Sequence, residues 1–309
     1  MFDVSVQNLY KSYDKGRVNA LVDVSLSVAK GELFGIIGPD GAGKTTLFRI
    51  LTTLLLADKG SAAVNNSDVV FDYKKIRSKV GYMPGKFSLY QDLSVEENLR
   101  FFAAIFNTTV EENYNLIEDI YVQLEPFKTR RAGQLSGGMK QKLALCCALI
   151  HRPEVLFLDE PTTGVDAVSR KEFWVMLKRL KKEGITILVS TPYMDEANLC
   201  ERIALMQNGR ILSVNTPQAI IDAYPDPLFS VRSSEMSRLL SDLRILPTIK
   251  SVYAFGEDHH ISFYDSVNIK EVHNNQLGTL DHGDFEISAI EPTVEDCFIH
   301  LMTNESHAG

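Results

Sequence analysis

Apolar and polar residues alternate at Val4 and Val6, and again at Val22, Val24, Leu26 and Val28, the two-residue period of half-buried antiparallel strands. Asp14, Lys15 and Gly16 lie between the two runs as turn residues. The pattern then changes. Leu33-Phe34-Gly35-Ile36-Ile37 and Val155-Leu156-Phe157-Leu158 are short, continuous apolar runs, which suit strands buried on both faces of a parallel sheet. Residues 60–64, 79–83, 186–189 and 203–206 read as further short strands, and Asn208-Gly209 as a hairpin turn. Helical spacing fills 45–56 and 167–183. From Ser94, an N-cap with Glu97 three residues on, to about Ile150 the period is again helical, with breaks near Asn107 and Gly133. The pattern is that of an α/β domain with an antiparallel β subdomain and a helical lobe inserted over about 86–150.

Tyr224-Pro225-Asp226-Pro227 breaks any helix or ladder and divides the chain into a domain over 1–224 and a C-terminal accessory domain over 225–309. Beyond it the expected order is strand 228–231, helix 235–243, strands 251–255 and 260–264, helix 269–277 and strand 285–290, then a last helix over 293–302. That βαββαβ order fits a small, ferredoxin-like α+β unit.

Composition narrows the field. The chain has 309 residues, 45% of them hydrophobic, enough for a core in each of two domains. Its 32 Lys and Arg against 40 Asp and Glu, a net charge of -8, exclude a nucleic-acid surface as its main business. The basic runs at 74–79 and 178–182 read as solvated faces. Met1-Phe2-Asp3-Val4 lacks the basic start of a signal peptide, and no apolar run approaches the ~18 residues of a spanning helix. Cys146, Cys147, Cys200 and Cys297 show no metal-ligand spacing, so buried reduced thiols in the cytoplasm are expected. The seven histidines form no metal site either.

Two stretches carry anion chemistry. Gly38-Pro39-Asp40-Gly41-Ala42-Gly43-Lys44-Thr45, with Thr46 following, is a phosphate-binding loop between a buried strand and a helix. Its glycines let backbone N–H groups curl around phosphate oxygens, Lys44 reaches the β- and γ-phosphates of a nucleotide, and Thr45 can ligate Mg²⁺. Asp40 is expected to point to solvent. Leu135-Ser136-Gly137-Gly138-Met139-Lys140-Gln141 opens another helix and offers a second set of N–H donors. A third stretch, Val155 to Glu160, is a buried strand that ends in two acids, Asp159 and Glu160, where ligands bind parallel sheets.

With the Leu-Ser-Gly-Gly-x-x-Gln signature in place, residues 1 to about 220 resemble the ATP-binding cassette family. The resemblance implies a P-loop NTPase (RecA-like) core that binds ATP and Mg²⁺, with Thr45 and Asp159 on the metal. Glu160 would be the catalytic base that polarises the attacking water. Two cassettes would sandwich ATP head to tail, as a homodimer or heterodimer. Ser136, Gly137, Gly138 and Gln141 would then face the partner's ATP, and Asp166 would lie in the loop through which the two cassettes touch. Tyr13 matches the aromatic on which adenine stacks, or else is a strand tyrosine packed on the core.

Two positions depart from the family. Gly85 stands where a glutamine contacts Mg²⁺ and water, and Pro192 where a switch histidine touches the γ-phosphate. Proline has no donor to offer, so slow hydrolysis is expected. Glu291-Pro292-Thr293-Val294-Glu295-Asp296-Cys297-Phe298 is similar to the ending of drug-exporter and ABC-2-type cassettes. The implied function is the ATPase subunit of an export system, on the cytoplasmic face of the membrane, working with polytopic permease subunits. A soluble non-transport ATPase and an ATP-binding regulatory cassette are the alternatives. Phe87, Leu89 and Tyr90 would either dock a membrane partner or pack the helical lobe.

Overall fold

The alternating N-terminal runs form long strands. In the structure, a computed structural model that describes residues 2–264 and 285–308, β1 (Phe2–Tyr13) pairs antiparallel with β2 (Val18–Ala29), Val4 opposite Val28 and Val6 opposite Leu26. Its other edge pairs with β4 (Lys59–Val64), and β5 (Ser67–Asp68) completes a sheet in the order β2-β1-β4-β5.

The continuous apolar runs lie in a second sheet. β3 (Leu33–Ile37), β6 (Val80–Met83), β7 (Val155–Asp159), β8 (Thr186–Thr191) and β9 (Arg202–Gln207) are parallel, and β10 (Arg210–Asn215) joins β9 antiparallel at the edge. The order is β10-β9-β3-β8-β7-β6. Every residue of β3, β7 and β8 is buried, which is why these strands show no alternation. Asn208 and Gly209, at φ 48° and 76°, make the β9–β10 turn, both left-handed as a tight two-residue hairpin requires. α1 (Lys44–Leu51) shares one buried cluster with both sheets, and its Phe48 meets Phe157 edge to face at 5.6 Å.

α1 stops five residues before its apolar spacing does. Thr53 is left-handed at φ 63°, its N–H donating to Ile50 O (3.0 Å) while Leu54 N–H donates to Arg49 O (2.8 Å), the bond pair of a Schellman stop. A β-branched residue is disfavoured there. Arg77, at the end of α2 (Tyr73–Arg77), holds it: Nε donates to Thr53 Oγ1 and Nη2 to Thr53 O, both at 2.8 Å. Leu54 and Leu56, which extended the helical pattern, are exposed.

The inserted lobe holds α3 (Val95–Ile105), α4 (Tyr114–Tyr121) and α5 (Gly137–Leu149). Ser94 and Glu97 form the expected reciprocal cap: Glu97 N–H donates to Ser94 Oγ (3.2 Å) and Ser94 N–H to Glu97 Oε2 (2.7 Å). The break at Asn107 is a left-handed residue, φ 52°. Fully buried Asn98 accepts from Tyr90 N–H (3.1 Å) and donates to the carbonyls of Tyr90 (3.0 Å) and Ser94 (2.9 Å). It thereby pins to α3 the segment that follows Gly85.

α6 (Ala167–Lys182) and α7 (Pro217–Asp222) complete the helices before residue 224. The chain divides into two compact units, Met1–Ala219 with Leu301–Gly309, and Ile220–His300. In the second, β11 (Leu228–Arg232), β12 (Ile249–Phe255), β13 (Asp258–Phe263) and β14 (Glu286–Ile290) form an antiparallel sheet in the order β12-β13-β11-β14. α8 (Met236–Ile245) buries Leu239 and Leu243 in a cluster with Phe229, Val231, Ile261 and Phe263. α9 (Val294–Ala308) is the last helix, and the helix expected over 269–277 lies outside the described residues. Among the described residues no helix is long and apolar enough to cross a membrane. The four cysteines are buried and free.

Asn98→Ala deletes the Asn98 bonds to Tyr90 and Ser94 at a fully buried position. It should lower unfolding free energy by about 2 kcal/mol in urea titration, with the fold retained.

Candidate functional site

Residues 38–43 turn the end of β3 directly into α1, and the neighbouring backbone leaves no room for a side chain at Gly38 or Gly43. A Cβ on Gly38 would lie 2.1 Å from Met206 O, and one on Gly43, at φ 109°, 2.4 Å from Ala20 O. Asp40 is exposed, as expected. Lys44 is 2% exposed, its Nζ donating to Gly38 O (2.7 Å) and Pro39 O (3.0 Å). The first-turn N–H groups of a helix have few intrahelical acceptors and carry the positive end of its dipole. The loop is therefore a cradle for a phosphate-sized anion. Tyr13, at the end of β1, is exposed rather than packed in the core, with its hydroxyl 3.4 Å from Thr46 Oγ1.

The two acids meet this loop. β7 and β8 run parallel with Asp159 opposite Ser190. Asp159 is 1% exposed, and its Oδ1 accepts from Thr45 Oγ1 (3.1 Å) and Ser190 Oγ (2.7 Å). Glu160 takes a left-handed φ of 51° and sends Oε1 to within 3.2 Å of Lys44 Nζ. On β6, burial and then the charge of Asp159 push the Tyr82 hydroxyl up to about 12. Thr45 and Asp159 together present oxygen donors, which suit a hard cation such as Mg²⁺ held by one or two protein oxygens and completed by phosphate and water. Among the described residues there is no cluster of three or more His, Cys, Asp or Glu that could hold a metal.

Sequence reasoning missed two members of this constellation. Ser190 bridges the acids, and Glu196 anchors the loops beside them. Glu196 is 1% exposed; Oε2 accepts from Thr191 Oγ1 (2.6 Å) and Thr162 Oγ1 (3.1 Å), and Oε1 lies 3.1 Å from Arg170 Nη2. The only signal was the pair of hydroxyl residues, Ser190 and Thr191, ending an apolar strand.

The second N–H-rich turn lies at the start of α5, where Ser136 Oγ accepts from Met139 N–H (3.3 Å). Its neighbours come from the start of α6 and the loop before it: a Cβ on Gly138 would lie 2.9 Å from Ser169 Oγ, and one on Gly137 3.4 Å from Gly164 O. Ser136 and Gly137 are exposed, and Gln141 is half-buried. Asp166 caps α6, accepting from the N–H groups of Ser169 (3.0 Å) and Val168 (3.1 Å) and from Ser169 Oγ (2.8 Å). These bonds, those from Ser169 first, hold its carboxyl below the usual range.

The ABC transporter family profile matches residues 21–163, from β2 through the phosphate loop and the α5 turn to the acids. The chain is 32% identical, over 98% of its length, to the Nod factor export ATP-binding protein I of Rhizobium sp. strain N33, of which it covers 97%. This chain belongs to the ATP-binding cassette family. The cassette is also 36% identical, over 99% of its length, to the probable multidrug ABC transporter ATP-binding protein YbhF of Escherichia coli, and it spans about half of that relative (54%). A dimeric ATP-binding cassette in a post-hydrolysis state, bound to ADP and phosphate, is 27% identical to it with a TM-score of 0.63, over 69% of this chain and 98% of that one. The parallel core, antiparallel sheet and helical lobe are thus the P-loop cassette fold.

Gly85 and Pro192 sit against the acids and the loop. A Cβ on Gly85 would lie 3.1 Å from Asp159 O and 3.8 Å from Glu160 Cβ, so the backbone passes this point without a side chain to offer. Pro192 follows Thr191, whose carbonyl accepts from Gly38 N–H (3.2 Å).

The site geometry separates two substitutions. Lys44→Ala should abolish MgATP binding in a folded chain, because it removes the point charge that would face the phosphates. Gly43→Ala should also weaken binding, yet lower stability by about 2 kcal/mol, since strand β2 must shift. Fluorescent ATP-analogue titration beside thermal melts checks both.

Proposed function

We propose that the cassette binds and slowly hydrolyses MgATP as the motor subunit of an export system. One observation carries this reading: Lys44 and Thr45 of the phosphate loop converge on Glu160 and Asp159, at 3.2 and 3.1 Å. Gly38 to Thr46 would cradle the phosphates, with Tyr13 beside the adenine. Mg²⁺, held by Thr45 and Asp159, would offset phosphate charge. Lys44 now shares its charge with Glu160; phosphate oxygens would become its new partners and leave Glu160 able to orient water. The Ser136–Gly138 turn and Gln141 would complete the site of a second cassette, of the same or another kind, with Asp166 near the contact.

Export is supported by the relatives named for Nod factor export and multidrug transport. The partners would be polytopic permease subunits, which would place the cassette on the cytoplasmic face of the membrane. A groove of about 380 Å³, lined by Tyr82, Met83, Leu89, Phe102, Phe106 and His151, lies beside the segment after Gly85. Leu89 is buried, but Tyr90 is 52% exposed against Phe101. The segment thus supplies both lobe packing and an exposed aromatic suited to an apolar coupling element of a permease. The domain over 225–309 would be accessory, and a chain ended after Tyr224 would retain ATP binding.

Turnover should be slow. Preorganised polar contacts to a transition state are worth ~10² to 10³ each in rate, and Gly85 and Pro192 supply neither contact. The purified chain should bind ATP while hydrolysing it well below the typical range of about 1 to 10³ per second. Glu160→Gln should abolish the residual rate, and Gly85→Gln/Pro192→His should raise it in part, since a side chain at 85 must displace Asp159 O slightly. A wild-type rate within that range, unaltered by the double substitution, would mean that other groups fill both roles. Phe87→Ala/Tyr90→Ala should lose co-purification with a permease partner but keep ATP binding.

A further inference from the structure

We infer that Ser190 is a positioning residue of this site, whose hydroxyl fixes the metal-side acid and the water-side acid in one geometry. The inference rests on the ATPase reading above. Ser190 is fully buried in the central strand β8, where a polar side chain needs partners. Both of its partners are site residues. Its O–H donates to Asp159 Oδ1 at 2.7 Å, a bond strengthened by the carboxylate charge. The same oxygen accepts from Glu160 N–H at 3.0 Å, beside the bond that this N–H makes to the Ser190 carbonyl, also 3.0 Å.

Each contact bears on one of the two acids. Glu160 is left-handed at φ 51°, a conformation that a residue with a side chain keeps only when its neighbours enforce it. The Glu160 N–H, shared between the Ser190 hydroxyl and carbonyl, does so, and sets the direction in which the Glu160 side chain leaves the backbone. Asp159 has two hydroxyl donors, Ser190 and Thr45. Thr45 is the hydroxyl the proposed metal site would use, so Ser190 is the donor that stays with the carboxylate. The sheet itself does not call for a serine: β8 is buried at every position, and a β-branched apolar residue would fit the strand pattern better. The hydroxyl therefore answers to the acids and not to the strand.

The test uses the full chain with Ser190→Ala and Ser190→Thr. Ala deletes the hydroxyl and creates little space; Thr keeps it. Three quantities are read: ATP affinity in EDTA, Mn²⁺ affinity of the nucleotide-loaded protein by electron paramagnetic resonance, and kcat against KM for ATP with Mg²⁺. Ser190→Ala should leave metal-free ATP affinity within about twofold and weaken Mn²⁺ binding roughly 10-fold, as loss of an outer-shell partner does. It should also lower kcat far more than it changes KM. Ser190→Thr should recover Mn²⁺ affinity and kcat together. Wild-type Mn²⁺ affinity in Ser190→Ala overturns the inference, and so does an equal loss of metal-free ATP affinity, which would mark a merely structural role. A stably folded Thr variant no better than Ala also overturns it; if that variant melts early, the Ala result alone decides. Failure of the wild-type chain to bind ATP strikes at the ATPase reading instead. ATP binding that Lys44→Ala abolishes, beside an unaffected Ser190→Ala, rejects the role of Ser190 alone.

Discussion

A buried carboxylate holds the centre of this fold together. Asp159 is 1% exposed at the end of an apolar strand, and a charge taken from water is tolerated only with strong local partners. Those partners come from two other elements, Thr45 on α1 and Ser190 on β8. Satisfying one group therefore fixes three elements against one another. The strand order supplies the reach: β8 lies between β3 and β7, and all three run parallel, so the phosphate loop after β3 and the acids after β7 emerge at the same end.

A second buried acid does the same for the loops one layer out. Glu196 ties Thr162, after the acids, to Thr191, at the end of β8, and to Arg170 on α6. Arg170 also stacks over Tyr193, 4.3 Å from its ring. Pro192, between Thr191 and Tyr193, thus lies in a segment held on both sides by other residues.

The second unit shows that a recognisable motif and a local structural device can be the same residues. The run from Glu291 to Phe298, which resembles the ending of export cassettes, is a helix start. Thr293 and Asp296 form a reciprocal cap at 2.8 and 3.3 Å, and Asp296 Oδ1 meets His260 Nδ1 at 2.7 Å. Burial opposes ionisation of Asp296, but the bonds from His260 and Thr293 outweigh it and hold the carboxyl below the usual range. The cap joins the start of α9 to β13 within this unit.

Sequence alone determined what is local. Alternation marked β1 and β2, continuous apolar runs marked β3, β7 and β8, and the glycine spacing placed a phosphate loop before Lys44, because each pattern reports a residue's own burial or backbone freedom. The Ser94–Glu97 cap was legible for the same reason. The apolar spacing overran α1, since a left-handed Thr53 is held by Arg77, 24 residues away, and no local pattern records that. Nor could spacing single out Ser190, Glu196 or Asn98, whose chemical weight comes from partners brought close by sheet order and loop packing. Only the tertiary structure decided which buried hydroxyls and acids share a hydrogen bond, because that depends on the pairing of strands distant in the chain.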